Sequence, residues 1–234
     1  AEEQGFIRRA AAATDGATAA TVSAAVAGAT EREVAAECLA AMTRAGGEPP
    51  GFGPFIRPLD RLGEEHTTWG DATLRAGDAL FLEICGCVAR YNTPNGRFVH
   101  VGPPPETDRA VAAIAAEAFD AVLAALSPGA LARDVYAAWQ GVVDAHGLSH
   151  YRRHHCGYAV GIAFPPSWTG GPGVTGLRHD SDLEIREGMC FHVMSWLMGC
   201  GRGEFFLSNA VLLGSNGAEV LTRTPALPFE TAAP

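Results

Sequence analysis

The sequence has no apolar stretch near the roughly 20 residues that a membrane-spanning helix needs, and no run of basic residues. Its formal net charge is −9. Nucleic acid and anionic membrane surfaces attract positive patches, so both are poor partners for this chain. The first residues, Ala1-Glu2-Glu3-Gln4, lack the basic-then-apolar pattern of a secretory signal. No Cys-x-x-Cys zinc spacing occurs: Cys38, Cys85, Cys87, Cys156, Cys190 and Cys200 are scattered, and a strand would point Cys85 and Cys87 to opposite faces. The cysteines read as reduced core residues of a cytoplasmic protein, with Cys85 or Cys156 as a nucleophile the alternative. Only 18% of residues are charged, against 47% apolar, which excludes a disordered chain; 234 residues suffice for one large domain, 1–234, with a substantial core.

What the chain does have is one stretch around which the rest is organised. A Gly77-Asp78 turn opens the apolar run from Ala79 to Val88, and a single carboxylate, Glu83, sits inside that run. Short apolar runs bounded by turn residues read as buried strands. A buried charge is expensive, so Glu83 needs a partner or a purpose. The run from Ile185 to Trp196 has the same build: Gly188 matches Gly77, and Met194 matches Glu83. Upstream, Gly28-Ala29-Thr30-Glu31-Arg32-Glu33-Val34 is similar to Gly129-Ala130-Leu131-Ala132-Arg133-Asp134-Val135, and helical apolar spacing follows both. Each half therefore reads helix, helix, strand hairpin, and a site built from such halves lies between them.

In order, helices are expected over 3–26 and 31–44, the second started by a Thr30–Glu33 capping box. Residues 46–63, rich in Gly and Pro, read as extended, and His66 lies in a loop before the first hairpin, 79–101. Helices over 107–126 and 131–146 follow, then an irregular loop over 164–182, a second hairpin over 189–213 and a short strand from Glu219 to Thr222. The chain begins already in a helical pattern, which predicts that it is the C-terminal part of something longer.

Two ααββ halves, the turns at Gly77-Asp78 and Gly188-Met189, and the ending from Ala210 to Thr222 resemble the pita-bread domain of creatinases, prolidases and methionine aminopeptidases. The resemblance implies an α+β fold, two pseudo-symmetric halves around a curved antiparallel sheet, without the additional N-terminal domain of larger members. Most pita-bread enzymes hold two metals with two Asp, one His and two Glu. Those positions here are Glu83, Pro94, Tyr158, Met194 and about Ser208, so the resemblance implies no metal and no cofactor. The metal-free branch is more similar. The histidine that creatinase places eleven residues before its turn glycine has its counterpart in His66, eleven before Gly77. Ectoine hydrolases resemble the chain at His66-Thr67-Thr68-Trp69, Leu82-Glu83, Arg90-Tyr91, His154 to Tyr158, Pro165 to Trp168 and Gly188 to His192. The sequence departs from that family at Asn92, Gly96, Ser195 and Asn209.

The resemblance implies metal-independent hydrolysis of a non-peptide C–N bond in a small cyclic amidine or amide-like molecule. Glu83 would be nucleophile or general base, and His66 would shuttle the proton. Tyr91 and His155 would hold the substrate or the developing charge, and His154 would contact solvent or a partner. Tyr158 and Met194 would touch substrate where relatives bind metal. His192 shares the face of Met194 in a strand and joins them. Trp168 is a lid by stacking or cation–π contact, or a hydrophobic plug. Arg90 and Arg97 fit salt bridges as well as substrate clamps. A homodimer is expected by analogy. The other readings are a divergent biosynthetic enzyme on the same scaffold and a catalytically dead module that binds a ligand or partner.

Overall fold

The two halves of the chain repeat each other down to individual hydrogen bonds. In the computed structural model, which describes residues 2–64, 66–170, 173–226 and 229–230, the first half runs α1 (Glu2–Ala24), α2 (Glu31–Arg44), β1 (Phe55–Pro58), β2 (Ala79–Val88) and β3 (Tyr91–His100). The second runs α3 (Glu106–Ala125), α4 (Ala132–Ala145), β4 (Gly157–Ala159), β5 (Cys190–Trp196) and β6 (Phe206–Gly214). The Gly28 and Gly129 amides donate to the Leu74 and Ile185 carbonyls at 2.9 and 2.8 Å. The Glu31 and Ala132 amides donate to Ala72 and Leu183 at 3.0 and 2.9 Å. The matched turn glycines Gly77 and Gly188 have φ of +90° and +86°, which a residue with a Cβ rarely adopts. These are the repeats expected from the sequence.

The sheet orders its strands β1-β2-β3-β6-β5-β4. Two more strands lie off that path: β7 (Gly217–Val220) pairs with β6, and β8 (Phe229–Glu230) lies parallel beside β3. The hairpins are long, but β3 and β6 meet through only Gly96–Ser208 and Arg97–Leu207.

The helices pack on one face because side chains alternate along each strand. Leu80, Leu82 and Ile84 of β2 bury against Val34, Cys38 and Met42 of α2. Val111, Ala115 and Val122 of α3 and Val135, Trp139 and Val143 of α4 cover Phe191, Val193 and Leu207. Each fully buried side chain of this size contributes about 1.5–3 kcal/mol. Small residues bring α1 close: a Cβ on Gly86 would lie 2.3 Å from the Ala10 carbonyl oxygen. The Thr14 hydroxyl fills that contact, accepting from the Gly86 amide at 2.8 Å and donating to the Thr93 carbonyl at 2.6 Å. Thr30 and Glu33 form the expected capping box on α2.

The helices fall within two residues of their expected bounds. Three strands were not expected, among them the two-residue β8. β1 lies in the Gly- and Pro-rich segment read only as extended, and β4 has three residues, too few to show a period. The short strand expected from Glu219 begins earlier, at Gly217, because a tight Gly214–Gly217 turn pairs it back onto β6. All six cysteines are buried free thiols, and no described helix is long and apolar enough to cross a membrane.

Candidate active site

On the face opposite the helices, the register lays two rows of side chains across the sheet. One row is Phe55, Glu83, Gly96, Ser208 and Met194, each opposite the next on the neighbouring strand. Two residues along, Arg57 lies opposite Phe81, Phe81 opposite Phe98, and Phe206 opposite Trp196. Residues two apart share a face, so the rows lie about 7 Å apart. The second row is aromatic: the Phe81 ring stands 5.2 Å from Trp196 and 4.8 Å from Phe206. Gly96 makes this possible, since a Cβ there would lie 2.0 Å from the Phe206 ring.

Glu83 is 8% exposed, and burial pushes its carboxyl up to about 8, against the pull of the Arg57 guanidinium. Its Oε1 lies 3.8 Å from His192 Nδ1. His192 belongs to a chain of hydrogen bonds that crosses from the loop to β6. An indole N–H can only donate, so Trp168 Nε1 donates to the Tyr158 hydroxyl at 2.8 Å. The polarity that satisfies every group continues with Tyr158 O–H donating to His192 Nδ1 at 2.9 Å, and His192 Nε2–H donating to Ser208 Oγ at 2.6 Å. Burial, with His155 and Arg97 adding, pushes His192 down to about 3, in keeping with this neutral tautomer. Burial also raises the Tyr158 phenol well above its usual value, and the Glu83 charge raises it further.

Glu83, Tyr158 and Trp168 border a cavity of about 480 Å³. Phe52 and Trp168 meet edge to face over it, with ring centres 4.7 Å apart. The two segments that carry them interlock: a Cβ on Gly51 would lie 2.3 Å from the Ser167 carbonyl carbon. His66 sits exposed at the mouth with a left-handed φ of 58°, its ring stacked on Phe52 at 5.3 Å. His155 stands edge-on to Tyr158 at 5.5 Å; burial, helped by neighbouring positive groups, pushes it down to about 3.

Glu83, His66, His155, Tyr158, Trp168 and Met194 therefore line one cavity, as does His154, which is also exposed to solvent as expected. Tyr91 does not join them. It lies five residues along β3 from Gly96, the partner of Glu83, or about 17 Å. There it stacks on Phe6 at 5.8 Å and lines a separate cavity of about 380 Å³. His192 shares the face of Met194 as expected, yet it is 0% exposed and both its nitrogens are engaged beneath the cavity. Arg90 and Arg97 hold backbone carbonyls instead of lining the cavity. Neither Cys85 nor Cys156 lines it, and burial raises both thiols, Cys156 to about 12.

Sequence reasoning missed Phe81 and Trp196, although each is two residues from a site residue on its strand and shares its face. It missed Phe55 and Arg57 because β1 was not expected, and Phe52 and Arg153 because they sit in loops. Three of the four departures from the ectoine hydrolase pattern are structural. Asn92 Oδ1 accepts from the Gly51 amide at 3.1 Å, Ser195 Oγ accepts from Trp139 Nε1 at 3.1 Å, and Asn209 Oδ1 accepts from Arg97 at 2.8 Å.

The family model described as metallopeptidase family M24 matches residues 5–214. The chain belongs to that family. The M24 chain is 31% identical over 183 residues to the ectoine hydrolase of Halomonas elongata, covering 77% of this chain and 44% of that protein. It is 27% identical over 223 residues to a Xaa-Pro dipeptidase of Pyrococcus furiosus, covering 95% of this chain and 62% of that one. The crystal structure of an X-Pro aminopeptidase from Thermotoga maritima superposes with a TM-score of 0.86 at 23% identity, covering 97% of this chain and 62% of that chain, and supports the pita-bread fold. The chain spans about half the length of the curated relatives it matches.

The family name implies metal, and the residues present do not fit a dinuclear centre. Of the five positions, Glu83 alone brings a carboxylate; Tyr158 is held protonated, Ser208 is engaged by His192, and Met194 and Pro94 offer no hard donor. Among the described residues, no group of three or more His, Cys, Asp or Glu side chains converges to hold an ion.

Proposed function

We propose that this M24 chain hydrolyses a non-peptide C–N bond in a small cyclic amidine or amide-like molecule, without metal. The observation that supports this reading is a lone buried carboxylate, Glu83, on the floor of an aromatic-lined cavity in which the family's metal ligands are replaced. An amidinium seated over Glu83 would favour the ionised carboxylate by charge pairing, undoing the effect of burial. Ionised Glu83 then attacks the amidine carbon, or takes a proton from water so that hydroxide adds there. The tetrahedral adduct collapses, the C–N bond breaks, and the departing nitrogen takes the proton that His66 delivers from the mouth. Water completes the reaction if the adduct is covalent and restores the Glu83 carboxylate. Neutral His155 orients the substrate by hydrogen bonding. Tyr91, which lines a separate cavity, holds neither the substrate nor the developing charge in this reading. A homodimer remains the expectation from the resemblance.

The test combines metal analysis of the purified protein with mass spectrometry after incubation with ectoine, a panel of cyclic amidines and a Xaa-Pro dipeptide. Gain of one water by an amidine, unaffected by a chelator, is expected. Metal-dependent cleavage of the dipeptide would restore the peptidase reading and overturn this one.

A further inference from the structure

Two segments roof the cavity, and both are tied to one point of the sheet that lies outside it. Phe52 comes from the segment between α2 and β1, and Trp168 from the loop between β4 and β5. Their rings meet at 4.7 Å, and the His66 ring stacks on Phe52 at 5.3 Å. Neither segment forms a helix or a strand at these residues, so no regular element sets its position.

Asn92 of β3 grips both segments. Its side chain is 0% exposed. Its Oδ1 accepts from the Gly51 amide at 3.1 Å, and its Nδ2 donates to the Ala163 carbonyl at 3.3 Å. Its own backbone amide donates to the Gly161 carbonyl at 2.9 Å. A primary amide carries an acceptor and two donors on one short stem, which suits it to bridge an N–H on one segment and a carbonyl on the other. Arg90, in the turn before β3, repeats the grip: Nη1 donates to the Pro49 carbonyl and Nη2 to the Ala163 carbonyl, both at 2.7 Å. The two segments also touch backbone to backbone, where Gly51 meets Ser167. A shift of the Gly51 amide therefore moves the next ring, Phe52, against Trp168.

Asn92 itself lies four residues along β3 from Gly96, the partner of Glu83, or about 13 Å, and does not line the cavity. We propose that Asn92, assisted by Arg90, is a positioning residue that sets the height of the roof over Glu83 and so the size of the substituent that a substrate can carry. That the substrate is an amidine rests on the function proposed above; the clasp rests on its own hydrogen bonds. Asn92 is also a position where the sequence departs from the ectoine hydrolase pattern, which makes roof height a point of divergence from those relatives.

The test maps histidine modification by diethyl pyrocarbonate, site by site with mass spectrometry, alongside turnover of two cyclic amidines. His155 lines the cavity, is half-buried and stays neutral, which is the reactive form. The proteins are the wild type, Asn92→Ala, Arg90→Lys and, as a control for lost stability alone, Ser195→Ala, whose hydroxyl meets Trp139 of α4. Asn92→Ala is expected to speed His155 modification about tenfold, the scale of one lost hydrogen bond. It should also raise kcat/KM for 2-phenyl- relative to 2-methyl-1,4,5,6-tetrahydropyrimidine about tenfold, a ratio that the folded fraction cannot change. Arg90→Lys, with a single ammonium in place of the guanidinium fork, should shift both in the same direction by less. Ser195→Ala should match the wild type. If His155 modification responds but no amidine reacts with any of the proteins, the clasp stands and the proposed reaction falls. Unchanged His155 modification in Asn92→Ala, or in Arg90→Lys where Asn92→Ala does not fold, overturns the clasp, as does an equal rise in Ser195→Ala. An unchanged ratio on amidines that do react overturns its hold on substrate size.

Discussion

Replacing Glu83 with glutamine should inactivate the protein and stabilise it at once, and the stabilisation should depend on pH. In an unfolded chain a glutamate titrates near 4.5; in the fold, burial pushes Glu83 to about 8. Between those values the folded state binds a proton that the unfolded state has released. Stability therefore falls as pH rises through that window and levels off above pH 8. At 1.36 kcal/mol per pH unit, the penalty at high pH reaches about 5 kcal/mol. The neutral amide of the Glu83→Gln variant would resemble the protonated carboxyl and carry no such penalty. The expected difference between variant and wild type is therefore near zero at pH 4.5 and grows to several kcal/mol at pH 8.5. For a chain of this size each kcal/mol moves Tm by roughly 2–4 °C, so a gain on the order of 10 °C is expected at pH 8.5. His155 and His192, pushed down to about 3, impose the opposite slope, with stability lost as pH falls below about 6.5. They are common to both proteins, so the comparison isolates Glu83. The assay is thermal unfolding followed by circular dichroism from pH 4.5 to 9. A Glu83→Gln variant that is destabilised equally at every pH would refute the reasoning, because Glu83 would then be ionised and paired in the fold.

Other expectations follow from single contacts. Tyr158→Phe leaves the Trp168 indole N–H and His192 Nδ1 without their partner, which should cost about 2–4 kcal/mol in denaturant titration and change tryptophan fluorescence. Gly96→Ala drives a methyl into the Phe206 ring and against Ser208 Oγ and should cost about 1–3 kcal/mol in denaturant titration, with Phe206→Leu in the same chain recovering part of the loss; no recovery would place the clash elsewhere. Ser195→Ala orphans the buried Trp139 Nε1 and should cost about 1–2 kcal/mol, with turnover unaffected, since Ser195 faces the helices.

Most of the fold was legible because its signals are local. A Thr30–Glu33 capping box, matched turn glycines and helical apolar spacing each act within a few residues of where they are written. The internal repeat then supplied the topology. The site was legible where parity along a strand decides direction: Glu83 and Met194 face the cavity as expected. It failed where distance along the chain misrepresents distance in space. Tyr91 is eight residues from Glu83, yet it sits at the hairpin turn opposite Val88, an odd number of residues along the strand and so on the other face of the sheet. Arg57 and Arg153 lie far apart in sequence, and only the sheet brings them to one wall. His192 shows a further limit, since which nitrogen has a partner depends on Tyr158 and Ser208, from two other strands.

The narrow join between β3 and β6 has a mechanical meaning. Each half of the sheet is a broad, well-laced plate, and two residue pairs hinge one plate to the other beneath the cavity. Glu83 and Phe81 stand on one plate, and Met194, Trp196 and Tyr158 on the other. A molecule gripping both would work as a rivet across the hinge, so occupancy of the cavity and stiffness of the whole shell should rise and fall together.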